Sequence, residues 1–166
     1  MNKIIKTYKE RIPALRLIGK RYDGFGHWGD WFANGWFDLL EANMGGADKV
    51  RALWADGGDY IGLEVRFDGV LKEYWIGMFS PADTPVPEGF ECMDLAACDL
   101  GICWIYGKEN EVHDTSACRG ALEAQGMSVA ARADGAVLSF ENCTCPRYTT
   151  PDSEGNVILD YCYFVK

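Results

Sequence analysis

The amino-acid sequence predicts an α+β fold built from two successive units of the same plan, β-α-β-β, within 166 residues. Apolar residues in the first third of the chain recur at the spacing of a helix that buries one face. Segments rich in β-branched and aromatic residues surround this helix and a second helical stretch, as strands of a sheet do. A proline-rich segment divides the two units. We therefore expect one antiparallel sheet with pseudo-twofold symmetry, helices on one of its faces, and a central ligand groove between the units.

The first unit is predicted to span residues 12–80. Its first strand covers 14–22, after Pro13, and a turn at 23–26 leads into the helix. The apolar face of that helix comprises Trp28, Trp31, Phe32, Gly35, Trp36, Leu39 and Leu40. Residues 44–46, Met-Gly-Gly, end the helix, because glycine readily adopts the left-handed conformation found just beyond helix C-termini.

A β-hairpin completes the first unit. Strands are predicted at 60–67 and 70–79, with Asp68 and Gly69 between them. Asp-Gly is a strong signal for a two-residue hairpin turn. The following segment, 81–91, contains three prolines and few apolar residues, and we interpret it as the linker between the units.

The second unit is predicted to span residues 92–166. It begins with a long strand at 92–106, and a helix follows within 110–125. Asn110 and Asp114 are both suitable N-caps for this helix, and the sequence does not decide between them. The remaining features are a helix stop at Gly126, strands at 136–143 and 157–165, and a turn region at 151–156.

The charge of the chain argues against nucleic-acid partners, and its hydropathy argues against a membrane partner. The formal net charge is −9, from 25 acidic and 16 basic residues. Direct nucleic-acid binding needs a basic surface to neutralise phosphates, and the densest basic group, at 3–21, is interpreted as solvated surface. No apolar stretch approaches the roughly 20 residues of a membrane-spanning helix. The charged N-terminal segment lacks the apolar core of a secretory signal, so a cytoplasmic location is expected.

The cysteines and histidines do not predict a disulfide framework or a metal site. Seven cysteines are present, and none forms a C-x-x-C pair. Cys143 and Cys145 are the closest pair, and His27 and His113 lie far from them in sequence, so neither zinc nor another cofactor is expected. Both histidines are expected at the surface or at helix caps.

Four short motifs occur in an order that resembles the GyrI-like family. They are 12–19 (IPALRLIG), 74–77 (YWIG), 85–90 (PVPEGF), and Phe140-Glu141 ahead of a turn and a closing aromatic strand. This family includes the small-molecule-binding, effector-binding domains of AraC-type and multidrug-responsive transcription regulators. The resemblance covers nearly the whole chain and implies a single domain over 1–166 with duplicated, SHS2-like β-α-β-β units. No helix-turn-helix precedes or follows the domain, so a stand-alone form is expected.

The resemblance also implies what the groove binds. The hallmark of the family is a buried acid among aromatic rings, which binds amphipathic and often cationic molecules, and Glu141 matches that acid. Some stand-alone members are similar to hydrolases that open cyclopropane-bearing electrophiles, in which a Glu and a Tyr of the groove are implicated. The tyrosine that usually follows the acid is missing here, because Asn142 and Cys143 occupy its place.

Glu141 is the principal candidate for a binding acid. It follows a largely apolar strand segment, 137–140, so its carboxylate would be desolvated and a lipophilic cation would compensate its charge. The alternative interpretation is an outward-facing glutamate on the wet side of the sheet. Tyr74 is the second candidate, because Tyr148 and Tyr161 lie near the other end of the motif. Its neighbour Trp75 faces the opposite side of the strand.

Aromatic residues are abundant, with six tryptophans, eight tyrosines and eight phenylalanines. Rings that face the groove would offer cation–π surfaces to a ligand, whereas most rings are expected to pack in the core. The candidates for ligand contact beside Glu141 and Tyr74 are Trp36, Trp104, Phe140, Tyr148 and Tyr161. Tyr60 is an alternative to Tyr148 and Tyr161, and the sequence does not decide among the three. Two further acids, Glu64 and Glu73, are predicted to face each other across the hairpin and to be solvated.

Three functions remain possible from the sequence. The favoured one is an effector-sensing domain that binds a small cationic or amphipathic aromatic molecule. The alternatives are a hydrolase of cyclopropane-bearing electrophiles, with Glu141 and Tyr74 activating water, and a protein-interaction module that inhibits a nucleic-acid enzyme. The sequence holds no self-sufficient catalytic motif, which favours binding over catalysis. Whether a separate regulator or DNA enzyme is a partner stays open.

Overall fold

The computed structural model describes residues 1–166 as an eight-stranded antiparallel sheet with four helices. The elements in chain order are β1 Lys3–Ile12, β2 Leu15–Tyr22, α1 Trp28–Asn34, α2 Trp36–Asn43, α3 Asp48–Arg51, β3 Ile61–Phe67, β4 Val70–Pro81, β5 Glu91–Leu95, β6 Cys98–Gly107, α4 Cys118–Ala124, β7 Val137–Asn142 and β8 Val157–Val165. Across the sheet the strands lie in the order β1-β6-β8-β7-β3-β4-β2-β5. No helix has the length and apolar character that crossing a bilayer requires. The predicted α+β class with an antiparallel sheet is confirmed.

β1 is a strand where the sequence predicts only solvated basic surface. It pairs antiparallel with β6, from Lys3 opposite Tyr106 to Ile12 opposite Cys98. As the outermost strand it has one unpaired edge, and its lysines keep that edge in water and oppose pairing with another sheet. A register shift between Ile4 and Lys6 also breaks the alternation of the strand, which is why the sequence pattern fails to reveal it.

The strand predicted over 92–106 is divided into β5 and β6. β5 pairs with β2, whereas β6 pairs with β1 and β8, so residues 96–97 pass from one end of the strand order towards the other. Residues 13–14 make the same passage between β1 and β2. A connection of two residues spans at most about 11 Å. The two ends of the sheet therefore approach each other, and the sheet is strongly curved.

The single helix predicted over the tryptophan-rich segment is two short helices. Gly35 separates α1 from α2 with a φ of 65°, a left-handed conformation that glycine adopts at little steric cost. α4 lies inside the predicted range 110–125, but Ala117 holds its N-cap position rather than either predicted residue. Asp114 instead accepts hydrogen bonds from the backbone N–H and the hydroxyl of Ser116.

Strand alternation gives the sheet two different faces. On the core face, 16 buried residues from both ends of the sheet form the largest apolar cluster. Val50 of α3 belongs to that cluster, so α3 covers the core face. On the opposite helix face, α1 and α2 pack over β2 and β4, and α4 packs over β1 and β6. The prediction of helices on one face is correct for α1, α2 and α4 and wrong for α3, whose single turn was not predicted.

Candidate functional site

Two carboxylates lie side by side at the centre of the helix face. β3 and β7 pair in the middle of the sheet, with Gly62 opposite Glu141 and Glu64 opposite Ser139. The residues that alternate with them enter the core-face cluster, so these four are directed to the helix face. Glu64 and Glu141 are diagonal neighbours in this register, which places the two residues about 7–8 Å apart.

A cavity of about 720 Å³ opens above these carboxylates. One wall comes from α1 and its flanking segments, and the other from the irregular segments before α4 and after β7. The aromatic lining residues are Phe25, Trp28, Phe32, Tyr60, Tyr74 and Tyr148. The acidic and basic ones, histidine included, are Glu64, Arg66, Glu109, His113 and Glu141. Its size and mixed lining are typical of a small-molecule site.

Glu141 belongs to a chain of three hydrogen-bonded side chains. Its Oε2 lies 3.1 Å from Nδ1 of His113, and Nε2 of His113 lies 3.1 Å from the Tyr148 hydroxyl. An ionised carboxylate only accepts hydrogen bonds, so Nδ1–H of His113 is the donor to Glu141. The Glu141 side chain is 20% exposed and that of His113 42%. The pair is therefore partly desolvated but reachable from the cavity.

The carboxylate of Glu141 raises the pKa of His113 above that of an unperturbed histidine. The hydrogen bond between them is the largest cause, partial burial opposes it, and the charges of Glu141 and Glu109 reinforce it. A larger share of imidazolium therefore persists near neutral pH than for a histidine in water. The direct partner of Glu141 is thus a group whose charge depends on pH.

Glu64, in contrast, is compensated inside the protein. Arg66 donates to its Oε1 at 2.6 Å, and the buried hydroxyl of Tyr161 donates to its Oε2. The Tyr161 hydroxyl also lies 2.7 Å from Oγ of Ser139. Burial, followed by the charge of Glu64, raises the pKa of Tyr161, so this phenol stays neutral. Glu64 has a permanent cation beside it, whereas Glu141 has a partner that loses its charge as pH rises.

Trp28 and Tyr74 form a hydrogen-bonded aromatic pair in the cavity. The indole N–H of Trp28 donates to the Tyr74 hydroxyl at 2.9 Å. Burial raises the pKa of Tyr74, and the charge of Glu141 is the next cause. The phenol therefore keeps its proton at neutral pH. Its oxygen accepts the hydrogen bond from Trp28, and its O–H can donate to an acceptor in the cavity. Phe25 packs edge-on against Tyr74, with ring centroids 4.8 Å apart.

Gly62 makes room for this aromatic pair. A Cβ at position 62 would overlap the Tyr74 hydroxyl and come within 3.0 Å of Cζ2 of Trp28. A larger residue would therefore push the rings away from the strand. Because Gly62 lies opposite Glu141 in the sheet, the missing side chain allows both rings to approach the carboxylate. The sequence does not single out Gly62.

Three of the seven residues proposed from the sequence line the cavity, namely Glu141, Tyr74 and Tyr148. Phe140 is not among them. It precedes Glu141 in β7 and faces the other way, where it is fully buried in the core-face cluster. Successive side chains of a strand point to opposite faces, so Phe140 and Glu141 cannot both face one groove.

The other three proposed residues also lie outside the cavity lining. Trp104 packs against the core-face cluster, and the guanidinium of Arg147 is 4.5 Å from its ring centroid. Trp36, at the start of α2, instead has the ammonium of Lys20 4.4 Å from its ring centroid. Tyr161 is buried behind the lining and contacts it through Glu64. The aromatic content indicates a ring-lined site but does not indicate which rings form it.

Glu64 and His113 are lining residues for which the sequence predicts other locations. The register places Glu64 opposite Tyr74 and Glu73 opposite Val65, so the two acids do not face each other. Glu64 is 6% exposed rather than solvated. An acid inside an apolar strand is the signal that could have identified it. His113 lies in the irregular segment between β6 and α4, where no periodicity indicates the direction of a side chain.

No family model matches the chain, and no curated protein matches it. Among the solved structures that match, SAV2435 bound to tetraphenylphosphonium has a TM-score of 0.65 and 14% identity, over 98% of this chain and 94% of that one. A candidate bacterial transcription regulation protein from Staphylococcus aureus MU50 has a TM-score of 0.59 and 14% identity, over 98% and 99%. EcmrR, solved with DNA, has a TM-score of 0.58 and 8% identity, over 97% of this chain and 57% of that one. At identities this low, the TM-scores show a shared fold and no more than that.

Proposed function

We propose that the chain binds small aromatic or amphipathic cations in this cavity, with Glu141 as the counter-charge. The observation that carries the proposal is the position of Glu141 in the cavity lining. Its carboxylate is hydrogen-bonded to the titratable imidazole of His113 rather than to a permanent cation. A partly desolvated carboxylate gains most from a ligand that brings its own positive charge. Aromatic rings attract the same charge through their negative faces. Together these features favour a cation with a large apolar surface.

The charge balance of the cavity supports a cationic ligand. Three carboxylates, those of Glu64, Glu109 and Glu141, line it together with the guanidinium of Arg66. The formal charge of this set is −2 when His113 is neutral. Apolar walls exclude water and so strengthen the attraction of such a site for a cation.

The strand order supports a GyrI-like domain with duplicated, SHS2-like units as part of the same proposal. β2, β3 and β4 with α1–α3, and β6, β7 and β8 with α4, each follow the plan strand, helix, strand, strand. Outward from the central pair, the order is β3-β4-β2-β5 on one side and β7-β8-β6-β1 on the other, which is the same order in each unit. We further propose an effector-sensing role linked to transcription regulation or drug resistance, in line with the fold shared with EcmrR and with SAV2435, whose structure holds tetraphenylphosphonium.

Isothermal titration with tetraphenylphosphonium tests the proposed binding. The wild-type chain is expected to bind this cation, and Glu141→Gln, which removes charge but keeps shape, to bind it at least about tenfold more weakly. Glu123→Gln is the matched control, because that exposed carboxylate lies on α4 and pairs with Arg119. The neutral compound triphenylphosphine oxide, with three of the four phenyl rings, measures the contribution of aromatic contacts without a positive charge. Equal affinities of wild type and Glu141→Gln, or a preference for the neutral compound, would refute the proposal.

Hydrolysis is a second candidate function. The observation that favours it is the row of three hydrogen-bonded side chains Glu141, His113 and Tyr148. A carboxylate that orients an imidazole next to a hydroxyl is an arrangement suited to a general base. The oxygen of water would bond to an electrophilic cyclopropane carbon as Glu141, directly or through His113, removes a water proton. The ring bond at that carbon would break, its electron pair would take a proton from Tyr74, and the proton removed from water would return to Tyr74. The test is the rate at which a cyclopropane-bearing alkylator decays with wild type, Glu141→Gln, Tyr74→Phe and buffer alone. Equal rates in all four would exclude hydrolysis.

A further inference from the structure

His113 has two hydrogen-bond partners that suit both of its protonation states. Nδ1 donates to Glu141, and Nε2 faces the hydroxyl of Tyr148. In a neutral imidazole Nε2 accepts the Tyr148 proton, and in an imidazolium it donates to the same oxygen. A rotation of the phenol proton is the only change that the switch requires. The site therefore tolerates gain and loss of the His113 proton without rearrangement of heavy atoms.

The charged and titratable groups around His113 come from three segments of the chain. Glu141 comes from β7, Glu109 lies in the same irregular segment as His113, and Tyr148 and Cys143 lie in the segment after β7. Burial is the main cause that raises the pKa of both Tyr148 and Cys143, so neither ionises near neutral pH.

Tyr74 of β4 is neutral for the same reason. The one arginine of the lining, Arg66, is paired with Glu64. Among these groups, His113 is the one histidine, the residue type whose ordinary pKa lies between about pH 5 and pH 8.

We infer that the His113 imidazolium is the built-in counter-ion of Glu141 and that an aromatic cation entering the cavity displaces its proton. This inference rests on the proposed function and adds to it a residue that sets ligand affinity. The geometry requires the competition, because the Nδ1–H of His113 and a cation in the cavity both compensate the same carboxylate, 3.1 Å from the ring. A second positive charge beside an imidazolium disfavours the imidazolium.

The sign of the pH dependence follows from this competition. At high pH His113 is neutral, the Glu141 charge is uncompensated, and the cation binds most tightly. As pH falls through the pKa of His113 in the free protein, the imidazolium compensates Glu141 and the affinity declines. The dissociation constant then rises by up to about tenfold for each pH unit, and up to one proton is released for each cation bound. A neutral ligand of the same shape leaves the His113 proton in place.

Calorimetric titration with tetraphenylphosphonium between about pH 5.5 and pH 8.5 tests the inference. Measurement in two buffers of different ionisation enthalpy gives the number of protons released. The wild type is expected to release part of a proton and to bind more tightly at high pH. His113→Gln, which keeps hydrogen-bonding atoms but does not titrate, is expected to show neither effect. Triphenylphosphine oxide is expected to release no proton from the wild type.

The chain offers a matched control in its second histidine. His27 stacks on Tyr22, with ring centroids 4.0 Å apart, and does not line the cavity. His27→Gln is therefore expected to retain the proton release of the wild type.

Three outcomes overturn the inference. Tight binding with a constant dissociation constant and no released proton would overturn it and leave the proposed function intact. Proton release that persists in His113→Gln would assign the proton to another group. No binding at any pH would overturn the proposed function and this inference together.

Discussion

Glu64 and Glu141 are the same residue type on paired strands, but their partners differ in kind. Glu64 is 6% exposed and is bonded to Arg66 and to the buried Tyr161 hydroxyl. Glu141 is bonded to His113, and its side chain is 20% exposed. The first arrangement serves the stability of the fold, because an unpaired buried charge would be costly. The second leaves a carboxylate whose charge a ligand can compensate.

This difference predicts effects of different size on stability for two matched substitutions. Glu64→Gln is expected to lower the free energy of unfolding by about 1–3 kcal/mol, because Arg66 and the Tyr161 hydroxyl lose a charged acceptor in a buried place. Glu141→Gln is expected to lower it by less than about 1 kcal/mol, because its bond to His113 is partly exposed. Urea denaturation measures both. A larger loss of stability in Glu141→Gln would contradict the division of roles.

Gly62 gives a second prediction at the scale of one residue. Gly62→Ala is expected to destabilise the chain by about 1–3 kcal/mol and to weaken tetraphenylphosphonium binding, because the new Cβ overlaps the Tyr74 hydroxyl. In Gly62→Ala/Tyr74→Phe the overlapping oxygen is gone, so the double variant is expected to be more stable than the sum of the single effects. Denaturation of the two single variants and the double variant forms the cycle. Simple additivity would show that Gly62 does not support the ring pair.

Strand alternation could have corrected one site prediction from the sequence alone. The rule that separates Tyr74 from Trp75 also separates Glu141 from Phe140, and the structure places Phe140 on the core face. No such rule applies to His113, because it lies in an irregular segment. Glu141 is thus predictable from the motif in which it lies, whereas its partner His113 depends on the packing of a loop.

At the scale of elements, features with local causes were predicted and those with distant causes were not. The hairpin at 68–69 is confirmed, with φ of 49° at Asp68 and 78° at Gly69, as a tight turn between twisted strands requires. β1 was missed and β5 was merged with β6, because both depend on pairing with strands far away in sequence. Pairing of that kind leaves little trace in a single segment.

The break between α1 and α2 predicts different results for two glycines of one helical segment. Gly35 has a φ of 65° and open space around its Cα, so Gly35→Ala is expected to cost about 1 kcal/mol through the backbone alone. Gly29, inside α1, also has open space and no positive φ. Gly29→Ala is therefore the control and is expected to be neutral or to stabilise by up to about 1 kcal/mol. Thermal denaturation compares them, and equal destabilisation would argue against a backbone origin.

At the scale of the whole molecule, His113 links stability to pH. Its pKa in the folded protein is raised by the hydrogen bond to Glu141. Such a group stabilises the fold fully below its unfolded pKa, and the contribution is lost as pH rises through the folded pKa. The difference in unfolding free energy between wild type and His113→Gln is therefore expected to shrink between about pH 6 and pH 8. The effect is small because the side chain is 42% exposed.

Urea denaturation across this pH range measures the link. His27→Gln is the control, because His27 stacks on Tyr22 and is not hydrogen-bonded to a carboxylate. A difference that grows as pH rises would show that the neutral form of His113, rather than the imidazolium, is the one that the fold stabilises.

The cavity is a property of the whole molecule rather than of one motif. Its lining runs from Phe25 to Thr149 and joins the paired centre of the sheet to a wall from each half of the chain. Glu141 and the tyrosines at 74 and 148 were proposed from motifs and ring content. Their grouping with Glu64, Trp28 and His113 depends on the sheet register and on loop packing, which a single sequence does not contain.

A crystal structure with tetraphenylarsonium tests most directly whether this cavity holds a cation beside Glu141. Arsenic scatters anomalously, so its peak identifies the bound cation independently of the shape of the electron density. We expect one arsenic peak inside the cavity, next to the Glu141 carboxylate and within about 6 Å of at least one lining ring. At the same ligand concentration we expect this peak to be weaker in Glu141→Gln. A peak at another surface, or one that persists unchanged in Glu141→Gln, would contradict the proposal that Glu141 binds the cation in this cavity.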